Sequence, residues 1–181
     1  MSILSVYHHG MPEEPFKVLT HHEDIAATLA EAGVQLQRWQ AATAIGPDSD
    51  DEALVAAYQP QLDHLMSECS HAVVQVIRLS EDRYRPGTTR EQALEEYVLA
   101  DDEVRLFVAG RGQFNLHVAE RIYAVLCEKG DLIRIPAGTR HWFDQGEVPH
   151  LVAIRLLATA EGSTPQPTGD DIASRFPRLE D

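Results

Sequence analysis

Apolar residues recur at helical spacing in two stretches of the first half of the chain. Ile25-Ala26-Ala27-Thr28-Leu29-Ala30 follows His21-His22-Glu23-Asp24 and precedes Gly33. Acids in a first turn and a glycine stop predict a short helix there. Leu54, Val55, Tyr58, Leu62, Leu65 and Met66 keep the same rhythm from about Asp50 to Glu68, and Pro60 inside that run predicts a kink or break. Ala72 to Ile77 reads as a buried strand. Asp82 to Thr88 is a polar loop with Pro86 and Gly87, and Thr88-Thr89-Arg90-Glu91 fits a capping box opening a third helix through Glu95.

Beyond that point the pattern changes to short strands. Val104–Val108, Gln113–Val118, Arg121–Cys127, Asp131–Ile135 and Leu151–Leu157 are apolar or alternating runs. They are separated by Gly110-Arg111-Gly112, Ala119-Glu120, Lys129-Gly130 and a longer loop through Gly146. Closely spaced strands with such turns predict a sandwich or small barrel. The tail from Glu161 is rich in Pro, Thr and Gly and reads as irregular chain wrapping the surface.

A length of 181 residues suits one domain with its own core. The net charge of −14 repels phosphate backbones and anionic lipid surfaces, which argues against nucleic acid and membranes as partners. Cys69 and Cys127 are the two cysteines, too few for a disulfide framework or a thiolate zinc site. Cys127 lies in an apolar run and reads as a buried thiol. Met1 to His9 is no signal peptide, and no apolar run is long enough to span a bilayer, so a cytoplasmic location is expected.

Two segments carry chemistry. Gly130, Pro136, Gly138 and His141 form Gly-x5-Pro-x-Gly-x2-His, with Gln145 beyond. This spacing resembles the second motif of the cupins. There a glycine turns the chain into a strand, a proline ends its pairing, and a histidine points inward from the next strand. The first cupin motif, His-x-His-x3-Glu-x6-Gly, projects alternate side chains from one strand face. Here it reads Tyr97-Val98-Leu99-Ala100-Asp101-Asp102-Glu103 with Gly110 in register, so Tyr97 and Leu99 stand at the histidine positions.

Surrounding segments resemble the bacterial acireductone dioxygenases. They are Asp102 to Val108, Val125 to Lys129, Ile135 to Phe143, Ala153 to Arg155, Thr168 to Ala173 and Phe176 to Leu179, and the likeness runs from Val18 to the end. The resemblance implies a mainly β cupin fold, a double-stranded β-helix or jelly-roll barrel with short N-terminal helices. One domain then spans residues 1–181, with a helical portion to about residue 95, the motifs at 97–145, and the last strand and tail at 151–181. It also implies a monomer of methionine salvage that takes a small-molecule substrate. The family binds Fe(II) or Ni(II) through three histidines and one glutamate, and the metal orients oxygen and an enediol ketone.

Carried over by position, Glu103 and His141 match two of those ligands. Leucine cannot ligate, and tyrosine, with an ordinary pKa of about 10, suits ferric better than ferrous iron. The expectation is therefore no metal, or weakly bound Fe(II) or Ni(II) on Glu103 and His141. Asp101 shares strand parity with Leu99 and Glu103, and Asp102 adjoins it, so these are the nearest replacement donors. His117 is read as a solvent-facing position, and His8-His9 and His21-His22 as solvated surface pairs. The resemblance lines the pocket with Ala93, Leu99, Phe107, Phe143 and Arg155. The family has Phe where Ala93 stands and Trp where Ser163 stands, so bulky pocket groups are reduced together with the ligands.

Three functions remain open at this point. In the first, Tyr97, Glu103, Arg105 and His141 carry metal-independent isomerisation, elimination or decarboxylation of a small polar substrate. Glu103 or His141 would serve as base, Tyr97 as acid or oxyanion donor, and Arg105 as holder of a carboxylate or enolate. The second is an active Fe/Ni-dependent dioxygenase with unusual ligands. The third is a non-catalytic binding protein.

Overall fold

A computed structural model describes residues 1–46, 48–68, 73–80, 94–159 and 161–180. In chain order it places β1 (Ile3–His8), β2 (Lys17–Leu19), α1 (His22–Glu31), β3 (Gln35–Arg38), α2 (Asp51–Ala57), α3 (Gln59–Glu68) and β4 (Val73–Ser80). Then follow β5 (Tyr97–Val98), β6 (Glu103–Val118), β7 (Arg121–Glu128), β8 (Asp131–Ile135), β9 (Arg140–Asp144), β10 (His150–Leu157) and β11 (Gln166–Pro167). Short 3₁₀ turns at Glu161–Ser163 and Ile172–Arg175, together with β11, interrupt the irregular tail.

The helical expectations hold where periodicity was strong. α1 carries Glu23 and Asp24 in its first turn and stops before Gly33, whose φ is +81°. The second stretch breaks at Tyr58. Pro60 then sits in the first turn of α3, where its missing N–H costs nothing. Asp50 caps α2 by accepting from the Ala53 N–H at 2.7 Å.

Three expectations need correction. The first half is not simply helical, because β1, β2 and β3 lie in it as short strands that pair with β7, with β1 and with β8. β4 is half-buried rather than buried: α2 and α3 cover one side, and its first residue is exposed. Gly110-Arg111-Gly112 is no turn; β6 runs unbroken through it for 16 residues. The chain bends there instead, because Gly110 takes φ +74° and its Cα faces the His150 carbonyl so closely that a Cβ would lie 1.8 Å from that oxygen. The predicted loop over Asp82–Thr88 and most of the third helix lie outside the described residues, as do Cys69 and Ala93. The end of that helix, Leu94 and Glu95, is turn and bend.

The bend lets β6 serve both halves of the fold. Its first half pairs with β10 and β8; its second half pairs with β7 and β9. The two halves face each other over one core. Phe107, Ile133, Ile135, Leu151 and Ala153 come from one side, and Leu4, Val6, Phe114, Leu116 and Val125 from the other. Strand alternation decides this sorting. Odd residues of β6 from Glu103 to Phe107 point into that interior. Val104, Leu106 and Val108 point out, against Leu54, Tyr58 and Leu62 of α2 and α3. On the opposite outer surface Trp142 packs with Tyr7, Ile172 and Phe176, so the tail is anchored by apolar burial worth roughly 1.5–3 kcal/mol per large side chain.

Cys127 is a buried free thiol, as expected. No helix among the described residues is long and apolar enough to cross a membrane.

Candidate functional site

The motif residues converge at one end of the interior. Glu103 and Arg105 project from the same face of β6, two residues apart. Arg155 stands opposite Arg105 in the β10–β6 register, and His141 is the cross-strand partner of both Tyr97 and Leu116. Tyr97 therefore faces inward, with its ring centroid 4.5 Å from that of His141.

Glu103 is 1% exposed and held by two guanidiniums. Arg105 Nη2 donates to Oε1 at 2.7 Å. Arg155 donates to Oε2 from Nη2 at 2.8 Å and from Nε at 3.2 Å. Burial by itself would raise the Glu103 pKa, but Arg105 and Arg155 overturn that and hold it below the ordinary carboxylate value. Charges of +1, +1 and −1 leave this cluster with an excess positive charge. The Arg105 guanidinium lies 4.7 Å from the Phe143 ring centre and 5.0 Å from that of Phe114, a double cation–π contact. Phe143 fits there because Gly112 has no side chain: a Cβ would meet the ring edge at 2.2 Å.

His141 donates from Nδ1 to the Thr139 carbonyl at 2.7 Å, which leaves the Nε2 lone pair facing the interior. That atom is buried and has no hydrogen-bond partner among the described residues, and neither has Arg105 Nε. Burial lowers the His141 pKa, so the ring is neutral near pH 7. Burial, reinforced by the charge of Glu103, pushes the Tyr97 phenol up to about 12 and keeps it protonated. The site thus presents one orphaned acceptor, one orphaned cationic donor and a phenol O–H. Buried polar atoms without partners are uncommon, and two of them beside the phenol make this cluster the candidate binding site.

Of the residues expected from sequence, Tyr97, Glu103, Arg105, His141, Phe143 and Arg155 come together. Phe107 is fully buried and packs against Phe114 and Phe143 with ring centres 6.3 Å away, so it belongs to the core beneath the cluster. Leu99 is buried, and its carbonyl accepts from the Gly138 N–H, tying the two motifs together. Phe114 was not anticipated; its parity with Leu116 along β6 was the available signal. The double clamp on Glu103 also escaped the sequence, since Arg155 lies 52 residues away. His117 corrects the expectation of a solvent-facing residue: it is 6% exposed and bonded to Glu96.

The residues present do not fit a tightly held metal. Glu103 and His141 are two donors where the resemblance calls for four. Two guanidiniums beside them oppose a cation, and Leu99 supplies no lone pair. The replacement donors are committed elsewhere: Asp101 accepts from Thr159, and Asp102 takes two bonds from Arg134 and one from the Ala137 N–H. Among the described residues no group of three or more His, Cys, Asp or Glu is placed to hold a metal ion.

Comparison with known proteins sets this site in context. The ARD/ARD' family model matches residues 6–165. Proteins named acireductone dioxygenase in Pseudomonas fluorescens strain Pf0-1 and Stutzerimonas stutzeri strain A1501 are 57% and 56% identical over 181 residues, covering 100% of both chains in each case. The solved structure of an acireductone dioxygenase from Bacillus anthracis with cadmium ion in its active center has a TM-score of 0.79 at 24% identity. It covers 92% of this chain and 98% of that one, and it shows that the fold is the cupin fold expected. Family match, full-length identity and fold agree: the chain belongs to the acireductone dioxygenase (ARD/ARD') family.

Proposed function

We propose that this chain binds a small enediol or 2-oxo compound of the acireductone class and moves protons on it without a tightly held metal. The observation that carries this reading is the pair of buried, unpartnered atoms, His141 Nε2 and Arg105 Nε, in a side-chain cluster of excess positive charge. Neutral His141 is the base, because its Nε2 lone pair is free and Glu103 is tied down by two arginines. Tyr97 stays protonated and donates a hydrogen bond to a developing oxyanion. Arg105 and Arg155 supply the charge that holds an enediolate. The chemistry is a proton shift between carbon and oxygen, which needs no oxidant.

A second reading has its own support. The full-length relatives at 56–57% identity are named acireductone dioxygenase, which favours oxygen chemistry on the same substrate class with a metal on Glu103 and His141. One experiment separates the two. Protein expressed with added Fe(II) or Ni(II) is assayed for bound metal and for oxygen uptake with an acireductone, and for deuterium exchange into the substrate in D2O. Exchange without oxygen uptake, lost in His141→Ala, supports the first reading. Oxygen uptake that follows metal content and is lost in Glu103→Gln establishes the second and overturns the first. Binding without exchange or uptake leaves a binding protein.

A further inference from the structure

Three separate segments meet on the face of the sheet away from the pocket. His9, just past the end of β1, places Nδ1 3.3 Å from Nε2 of His117 on β6. His117 Nδ1 in turn lies 2.8 Å from Oε2 of Glu96, the residue before β5, and the other oxygen of Glu96 accepts from Thr168 Oγ1 at 2.8 Å. Glu96 and His117 are buried, while His9 is half-buried and His8 beside it is exposed. Glu96 is adjacent to Tyr97, so strand alternation sends it to the opposite face and separates this cluster from the pocket.

The geometry points to a second, surface-accessible site for a divalent transition-metal ion of the class that imidazole suits, held by His9 Nδ1 and His117 Nε2, with water completing the shell. Three features support it. Glu96 accepts from His117 Nδ1–H, which fixes the tautomer and turns the Nε2 lone pair outward. That carboxylate–histidine pairing is the one that orients metal-bound histidines. The spacing of the two nitrogens also fits: at a metal–nitrogen distance of about 2.0–2.1 Å, 3.3 Å between donors corresponds to an angle of about 107°, near tetrahedral. Finally, Glu96 is buried beside this pair and the cation nearest in register, Arg140 opposite His117, is exposed, whereas two largely buried guanidiniums stand beside Glu103 and His141. His8 Nδ1 accepts from the Gly10 N–H, so that nitrogen is not a ligand. A bound ion would pin the end of β1 to β6.

The test is titration of the chelator-stripped full chain with Zn2+ by isothermal calorimetry, in parallel with His9→Ala, Glu96→Gln and His141→Ala. His9→Ala removes a half-exposed ligand and leaves the Glu96–His117 bond in place, so it retains the fold, which circular dichroism checks. One saturable Zn2+ per chain is expected, abolished in His9→Ala, weakened about 10–100-fold in Glu96→Gln and unchanged in His141→Ala. Binding unaffected by His9→Ala, or no saturable binding at all, overturns the proposal and leaves the imidazole pair a plain hydrogen bond. Zn2+ lost in His141→Ala but kept in His9→Ala overturns it in favour of a metal in the pocket, which also defeats the metal-free reading. Loss in His9→Ala alone leaves that reading untouched.

Discussion

Replacing Glu103 by glutamine removes the one negative charge between Arg105 and Arg155 while keeping nearly the same shape. The two arginine side chains are 9% and 17% exposed, so water cannot take over the role of the carboxylate fully. Removing one partner of a buried ion pair costs about 3–5 kcal/mol, because the remaining charge is left unpaired. The glutamine carbonyl can still accept from one guanidinium, which places Glu103→Gln at the lower end, about 3 kcal/mol. For a chain of this length that corresponds to a fall in Tm of roughly 6–12 °C, at about 2–4 °C per kcal/mol. Arg155→Met leaves Glu103 paired with Arg105 and loses charged hydrogen bonds alone, about 1.5–3 kcal/mol. Urea and thermal unfolding of the three proteins measure the difference. A Glu103→Gln protein within about 0.5 kcal/mol of the parent, with an unchanged denaturant slope, would refute the clamp and with it the argument that Glu103 is too well held to act as base.

The lowered pKa values of His141 and Glu103 predict a stability that is full above about pH 6.5. It declines as His141 must be protonated on unfolding, and declines further as pH falls below about 4.3 through the Glu103 pKa. Urea midpoints from pH 8 to about pH 2 check this, and His141→Ala should remove the upper part of the decline. The double variant Tyr97→His with Leu99→His returns two imidazoles to the pocket strand. It should acquire Fe(II) or Ni(II) during expression, read by metal analysis, and should lose it again on adding His141→Ala. Gly110→Ala combines φ +74° with a Cβ 1.8 Å from the His150 carbonyl oxygen, whereas Gly138→Ala has φ +77° and open space. Gly138→Ala should cost roughly 1–2 kcal/mol in urea unfolding and Gly110→Ala clearly more. Equal losses would mean that the close approach of β10 to the bend does not matter.

Much of the site was legible in the linear pattern because cupin strands keep a period of two. The resemblance named Glu103, Phe107 and His141, strand parity explains why Glu103, Arg105 and Phe107 share a face, and the Pro-x-Gly-x2-His spacing put His141 at the start of β9. The early strands β1, β2 and β3 were not legible. They are 6, 3 and 4 residues long, and what stabilises them is pairing, β1 with 121–126, β3 with 131–134 and β2 with β1, rather than any local signal. The run Gly110-Arg111-Gly112 misled for a related reason. Two glycines predict a turn, yet pairing on both sides keeps the strand continuous, and the positive φ is spent on a bend that lets β6 join two halves of the core.

The sequence by itself determined the family and which residues, Tyr97, Leu99, Glu103 and His141, stand at the four motif positions, since these depend on residue identity at fixed spacing. It also determined α1 and the break between α2 and α3, because helix periodicity and proline chemistry act within a few residues. Tertiary structure alone decided that Arg155 joins Arg105 on Glu103, that His141 Nε2 is buried without a partner, and that His9, His117 and Glu96 form one cluster. Those contacts span 52, 108 and 21 residues. A side chain's charge state and hydrogen-bond supply are set by neighbours that only the folded sheet brings together.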